Sequence, residues 1–173
     1  MIYVLVYPVF DERSTVLIRA FRETHEAQRA RLVAPHITLV FGVAQTHLER
    51  LSRLVDVVCE QTSTLPVTFD GHVTELDPFE KTYKTFLLCD EGCAAITALH
   101  DKLYDGPHRS EFNAAYPFTP HMTIGSYTAQ TEAEQVDISA LGHFPIKGQV
   151  CSLALVQLED GELTTLKTAS LIT

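Results

Sequence analysis

The chain has 173 residues, of which 46% are hydrophobic and 20% are charged, a composition typical of globular proteins and unlike that of disordered chains. Its formal net charge is −9, from 22 acidic and 13 basic residues. This charge disfavours a protein that binds long duplex nucleic acid by its phosphate backbone, because such a protein needs a positive face.

The hydrophobic pattern predicts an apolar strand over residues 2–7 and a helix from Asp11 to about Arg31. No low-complexity or linker-like segment interrupts the chain, so we predict a single bilobal domain over residues 1–173. The remaining predicted elements, in chain order, are a strand containing His36, a helix beginning near Thr46, strands over 67–76 and 83–89, a helix over about 92–104, a strand containing His121, a short helix ending near 141, and strands over 147–158 and 163–171.

An internal repeat relates the two halves of the chain. The sequence Pro-His-x-Thr occurs at residues 35–38 and again at residues 120–123. At the same offset, Ala-Gln-Thr recurs at residues 44–46 and 129–131, with a Glu three residues after each Thr. This Thr-x-x-Glu pattern is typical of a capping box and predicts a helix start in each half. We therefore predict an α+β fold of two pseudo-symmetric lobes, each an antiparallel sheet with helices outside, facing each other across a central cleft.

The two His-x-Thr pairs are the candidates for catalysis. In a strand, residues i and i+2 point to the same face, so His36 and Thr38 are predicted to project together, as are His121 and Thr123. Two imidazoles and two hydroxyls in one cleft suit phosphoryl transfer. One histidine accepts a proton from the attacking oxygen, the other protonates the leaving oxygen, and the hydroxyls donate to phosphate oxygens. This scheme needs no metal ion.

A structural role is the alternative for each pair taken alone. A histidine on an apolar strand is more often a hydrogen-bonded packing residue, and threonine is a good strand former. The recurrence of both polar pairs, each after a proline and within a matching repeat, favours function, because packing alone does not require it.

The segments 35–39 and 120–124 closely resemble the paired motifs of the 2H phosphoesterase superfamily, which includes 2′,5′-RNA ligase-like proteins and cyclic nucleotide phosphodiesterases. The resemblance extends over nearly the whole chain, since the order of segments also fits. It implies a bilobal fold and the metal-independent cleavage of a 2′,3′-cyclic phosphate, or the making and breaking of a 2′–5′ phosphodiester. The two histidines and two threonines are the catalytic residues that it implies. Many relatives have a basic residue after the second motif, where this chain has Gly-Ser-Tyr at 125–127.

Three further residues are candidates for substrate binding. Phe118 lies two residues before Pro120 and is a candidate to stack on a base, with core packing as the alternative. Tyr127 is a further aromatic candidate. Lys84 is a candidate to neutralise a second phosphate, with a solvated surface position as the alternative.

The sequence thus predicts a cytoplasmic, monomeric phosphoesterase that uses no cofactor or metal ion. Its expected partner is a small nucleotide or an RNA terminus carrying a cyclic phosphate, with no membrane and no long duplex nucleic acid. RNA 2′–5′ ligation, hydrolysis of an ADP-ribose cyclic phosphate, and non-catalytic binding of a phosphate or nucleotide are the alternatives that remain open.

Overall fold

The computed structural model describes residues 1–173, except for the side chain of Pro107. Its strands are β1 (Ile2–Val6), β2 (Val9–Phe10), β3 (Ile37–Val43), β4 (Leu65–Leu76), β5 (Tyr83–Cys89), β6 (His121–Tyr127), β7 (Ile146–Val150), β8 (Ser152–Glu159) and β9 (Glu162–Ser170). Its α-helices are α1 (Glu12–His25), α2 (Ala27–Leu32), α3 (Leu48–Cys59), α4 (Cys93–Leu103) and α5 (Gln130–Glu134). Short 3₁₀ helices lie at Gln45–His47, Pro107–Glu111 and Ile138–Leu141.

The strands form two antiparallel sheets. One sheet has four strands in the order β3-β1-β8-β9, and the other has five in the order β2-β7-β4-β5-β6. Strand β3, which begins directly after His36, and strand β6, which begins with His121, each lie at the edge of a sheet and contact each other. The α+β fold with two antiparallel sheets is therefore confirmed, and the two edge strands meet between the sheets.

The two halves of the chain exchange strands. Strand β4 belongs to the first half but pairs with β5 in the sheet that contains His121. Strand β8 belongs to the second half but pairs with β1 in the sheet that contains Thr38. The prediction of one continuous strand over residues 147–158 is wrong, because the chain leaves one sheet at Cys151 and enters the other. Each sheet is thus built from both halves.

The longer helices α1 and α4 each pack against one of the two edge strands. Helix α4 follows β5 of the five-stranded sheet but packs against β3 of the four-stranded sheet. Helix α1 follows the short strand β2 and packs against β6, which belongs to the same five-stranded sheet as β2. The apolar face of α1 presents Ile18 and Phe21 to a core that also contains Met122 and Ile124 of β6. Burial of these side chains stabilises the fold in proportion to the apolar area removed from water, so the same contacts hold the two halves together.

The helix starts and ends differ in places from the predicted ones. The single helix predicted from Asp11 to Arg31 is divided at Glu26, whose φ of −152° and ψ of 49° are not helical. The predicted capping boxes do not form, because Thr46 lies inside the 3₁₀ turn before α3 and Thr131 lies within the first turn of α5. Glu132, rather than Glu134, accepts the backbone N–H of the residue that precedes α5. Among the helices that the structure describes, none combines the length and hydropathy of a membrane crossing.

A buried ion pair lies at the break between α1 and α2. The Arg22 guanidinium is 2% exposed and the Glu26 carboxylate is fully buried. Nε of Arg22 donates to the Glu26 carboxylate, and its Nη1 donates to the carbonyl oxygen of Val33 at 2.9 Å. Burial raises the pKa of Glu26, while the neighbouring charges of Arg22, Arg29 and Lys84 oppose that rise. The pair therefore fixes the end of α1 and the chain leading into β3.

We predict that Arg22→Met lowers the free energy of unfolding by about 3–5 kcal/mol, because it leaves the buried Glu26 carboxylate without its main partner. The measurement is urea unfolding followed by circular dichroism. Arg19→Met is the matched control, since Arg19 and Glu23 form an ion pair of the same spacing on the same helix, with side chains that are 78% and 56% exposed. Its unfolding midpoint should change little, because exposed pairs contribute little. Equal effects of the two substitutions would contradict a special role for the buried pair.

Candidate active site

The four His-x-Thr side chains meet in one cleft of about 730 Å³ between the sheets. The residues between each His and Thr, Ile37 and Met122, face the other way and are buried in the core. This alternation is the period of two that a strand imposes. The structure thus brings together all four residues that the sequence singled out for catalysis: His36, Thr38, His121 and Thr123.

Both histidines are held by the same backbone contact. Nδ1 of His36 lies 2.8 Å from the carbonyl oxygen of Ala34, and Nδ1 of His121 lies 2.7 Å from that of Thr119. A carbonyl oxygen only accepts hydrogen bonds, so Nδ1 carries the hydrogen in each neutral ring and Nε2 keeps its lone pair. A proline separates each histidine from its carbonyl partner. Because proline fixes its own φ and keeps the preceding residue extended, the Pro-His sequence favours this contact in both halves.

The surroundings of the two histidines differ electrostatically. Burial, together with the positive charges of Arg29 and Arg22, lowers the pKa of His36 to about 4. Burial also lowers the pKa of His121, but the carboxylates of Glu75 and Asp77 oppose this shift. Desolvation disfavours the charged imidazolium in both cases. At neutral pH both rings are therefore mainly uncharged, and His121 has the surroundings that better tolerate a proton.

An aromatic side chain supports the second histidine. The ring of Phe86 on β5 lies 4.3 Å from that of His121, measured between centroids, at an angle of 56°. Phe86 pairs with Thr123 across the β5–β6 ladder, and both side chains line the cleft. Sequence reasoning missed Phe86, because only the register of β5 on β6 brings it beside the motif.

Two of the three further candidates lie in the cleft. Lys84 lines it with only 3% of its surface exposed, and its ammonium group donates to the Glu80 carboxylate. Phe118 also lines the cleft, and its ring stacks on that of His100 with parallel planes and centroids 3.8 Å apart. Nδ1 of His100, on α4, lies 2.7 Å from the carbonyl oxygen of Leu39 on β3. His100 therefore links Phe118, in the loop before β6, to β3.

Tyr127 does not line the cleft, so its predicted contact with substrate lacks a geometric basis. Strand β6 contains a β-bulge between Thr123 and Gly125, where its pairing with β5 shifts by one residue. Beyond the bulge Ser126 pairs with the cleft residue Lys84, so Tyr127 lies on the opposite face of β6. Tyr127 turns to the helices, with its ring 5.8 Å from that of His25. It folds over Gly125, where an added Cβ would lie 2.3 Å from the tyrosine hydroxyl.

The rim of the cleft is apolar and aromatic. Phe79 in the turn between β4 and β5 is 68% exposed, and Tyr116 in the loop before β6 is 47% exposed. Their rings lie 4.9 Å apart, so they join the two segments across the mouth of the cleft. Exposed aromatic side chains at the mouth of a cleft mark it as a binding surface. The other exposed large apolar side chains that line the cleft are Met1, Leu32, Phe41 and Leu76.

The charged lining of the cleft is mostly acidic. Within the described part of the chain, its Arg and Lys residues are Arg29 and Lys84. Its carboxylates are those of Glu75, Asp77, Glu80 and Glu111. No group of three or more His, Cys, Asp or Glu side chains among the described residues is arranged to hold a metal ion. Sequence reasoning missed Arg29 and the four acidic residues, since none belongs to a motif.

The chain is similar to proteins and structures of one family. Residues 9–162 match the model of the 2′-5′ RNA ligase superfamily. A protein of Halalkalibacterium halodurans with the name "Putative phosphoesterase BH1439" is 25% identical over 146 residues, which are 81% of each chain.

Two solved structures share the fold over almost their full lengths. TT0787 of Thermus thermophilus has a TM-score of 0.63 at 21% identity, with 97% of both chains covered. E. coli LigT, in a complex with 3′-AMP, has a TM-score of 0.62 at 19% identity, with 99% of this chain and 98% of LigT covered. With the family model matching most of its length, the chain belongs to the 2′-5′ RNA ligase superfamily of 2H phosphoesterases.

Proposed function

We propose that this protein is a metal-independent phosphoesterase that cleaves the 2′,3′-cyclic phosphate of a small nucleotide or RNA end, or a 2′–5′ phosphodiester linkage, by two-histidine catalysis. The observation that carries the proposal is the pair of uncharged imidazoles in one cleft, each with Nδ1 held by a carbonyl and Nε2 left available. Groups that are neutral near the working pH and held in position are suited to general acid and base catalysis.

The different surroundings of the histidines support different roles for them. His36 is the general base, because nearby arginines disfavour its protonated form and its Nε2 keeps a lone pair at neutral pH. His121 is the general acid, because Glu75 and Asp77 favour its protonated form. A bound phosphate anion raises the pKa of a neighbouring imidazole further.

The reaction then runs in one displacement at phosphorus. His36 takes a proton from water, whose oxygen forms a bond to phosphorus as the bond to one ribose oxygen breaks. His121 gives its proton to that departing oxygen, and the product is a nucleoside 2′- or 3′-phosphate. The hydroxyls of Thr38 and Thr123 donate to the non-bridging oxygens, where negative charge accumulates.

The apolar rim supports a substrate with a base. Phe79 and Tyr116 offer aromatic faces within the same cleft as the His-x-Thr pairs, and bases stack on such faces whatever their identity. The complex of E. coli LigT with 3′-AMP shows a nucleotide with a 3′-phosphate bound to a protein of this fold. A nucleoside cyclic phosphate contains both a base for the aromatic rim and a phosphate for the His-x-Thr pairs.

Ligation is the second candidate, favoured by the name of the superfamily to which the chain belongs. The same two histidines then act on a 5′-hydroxyl instead of water, and the attacking oxygen forms a 2′–5′ linkage as the bond from phosphorus to the 3′ oxygen breaks. Formation of a longer product from a cyclic-phosphate RNA end and a 5′-hydroxyl RNA would favour this direction over hydrolysis.

We predict that His36→Ala and His121→Ala each reduce kcat for hydrolysis of nucleoside 2′,3′-cyclic monophosphates by about 10²–10⁴-fold, because each removes one proton-transfer group. The measurement is product formation in the presence of EDTA, with the 2′- and 3′-phosphates resolved by chromatography. Thr38→Ala and Thr123→Ala should cause smaller losses, since each removes one neutral donor of several. Near-normal turnover by a folded His36→Ala or His121→Ala protein would exclude the two-histidine mechanism.

We predict that kcat/KM for the same substrates is highest at a pH below 6.5. It rises as His36 loses its proton, with a pKa of about 4, and falls as His121 loses its proton, with a pKa below the ordinary 6.5. Glu75→Gln should move the falling limb to lower pH, because the Glu75 carboxylate raises the pKa of His121. Asp70→Asn, at an exposed position on the same strand, is the control and should leave the profile in place. An unmoved limb in Glu75→Gln would reject His121 as the acid.

We predict that the double substitution Phe79→Ala and Tyr116→Ala raises KM for nucleoside cyclic phosphates by about tenfold with little change in kcat, since base stacking is worth about 1–3 kcal/mol. Hydrolysis of glycerol 1,2-cyclic phosphate, which has no base, should be unaffected. Val57→Ala, which removes an exposed apolar side chain on α3 outside the cleft, is the control. Equal losses on both substrates would argue against a base-binding rim.

A further inference from the structure

The turn between β4 and β5 is held by Asp77 and carries Glu80. The Asp77 carboxylate accepts the backbone N–H groups of Phe79 and Glu80 at 2.7 and 3.0 Å, and the backbone N–H of Lys81 donates to the Asp77 carbonyl oxygen at 3.0 Å. Such bonds hold a turn in one conformation. The Glu80 side chain is thus directed from the turn to the wall of the cleft, which it also lines.

Glu80 contacts both cations of the cleft. Its carboxylate accepts from the ammonium group of Lys84 and lies 3.4 Å from Nη1 of Arg29. Arg29 also faces the buried Glu26 carboxylate, at 3.9 Å from its Nε. Arg29 and Lys84 are the Arg and Lys residues that line the cleft in the described part of the chain, so Glu80 neutralises much of its positive charge.

The remaining charges of the cleft then oppose additional anions. Besides Glu80, the carboxylates of Glu75, Asp77 and Glu111 line it. The phosphate that reacts has its own partners in the His-x-Thr pairs, whereas a second phosphate would have to compete with Glu80 for Arg29 and Lys84. Bringing a further anion beside these carboxylates without a free cation costs free energy.

We propose that Glu80 is a specificity-determining residue that restricts the cleft to substrates with a single phosphate group. This inference rests on the proposed function and narrows it to nucleosides whose only phosphate is the reacting one. Nucleotides with a 5′-phosphate, and RNA ends in which the terminal nucleoside is linked to a preceding phosphate, are then poor substrates. Glu80 acts on the substrate through the two cations that it occupies.

The test is calorimetric binding of adenosine 3′-monophosphate and adenosine 3′,5′-bisphosphate to the unmodified protein and to Glu80→Gln. The unmodified protein should bind the bisphosphate no more tightly than the monophosphate. In Glu80→Gln the ratio of the two Kd values should shift toward the bisphosphate by about tenfold, because bonds between a freed cation and a phosphate are charge-assisted. The added substitution Lys84→Met should abolish that gain.

Glu49→Gln is the matched control, because Glu49 also pairs with an arginine, Arg53, but on the exposed surface of α3, outside the cleft. In Glu49→Gln the ratio of the Kd values for the monophosphate and the bisphosphate should equal that of the unmodified protein. A preference of the unmodified protein for the bisphosphate, or an equal change in both Kd values in Glu80→Gln, would overturn the inference. Because binding is measured without turnover, a shifted ratio without hydrolysis of any cyclic phosphate would reject the proposed function and leave the role of Glu80 supported.

Discussion

Strands β4 and β8 cross from one half of the chain into the sheet of the other half, and the position of the cleft depends on this exchange. Helices α1 and α4 pack on β6 and β3, the two edge strands beside the cleft. Neither sheet can move away without breaking backbone ladders and opening the shared core. The edge strands β3 and β6 are therefore held against each other, with His36 and His121 in one space.

The two histidines have the same backbone contact but different electrostatic surroundings. The bonds from each Nδ1 to a carbonyl two residues earlier are almost identical in length, as expected from a duplicated motif. The nearby charges are different: Arg29 and Arg22 lower the pKa of His36, whereas at His121 the effect of Arg29 is opposed by Glu75 and Asp77. In the proposed mechanism this difference makes one ring a base and the other an acid, which the symmetry of the repeat alone does not do.

The buried charges at the end of α1 link fold and site. Arg22 and Glu26 end the helix and position α2, and α2 carries Arg29 into the cleft. There Arg29 meets Glu80, which comes from a turn of the opposite sheet. The ion pairs that link Glu26 to Arg22 and Arg29, and Arg29 to Glu80, thus connect the packing of α1 to the anion preference that we propose. An acidic cleft with an aromatic rim also agrees with the overall charge of −9, which disfavours long nucleic acids.

The sequence by itself determined the elements whose cause is local. The His-x-Thr pairs could be assigned to strand faces because side chains alternate along any strand, and strand β5 was predicted with its observed ends. Helix α4 likewise follows from its apolar period. The family motif was readable because two short copies recur in order.

Only the tertiary structure decided what depends on distant segments. The break at Cys151 follows from a change of sheet, and the bulge that turns Tyr127 away from the cleft follows from the register of β6 on β5. Arg29, Phe86 and Glu80 belong to no motif and reach the site through α2, β5 and a turn. Their roles arise from pairing across the chain, and a pattern of neighbouring residues contains no information about such contacts.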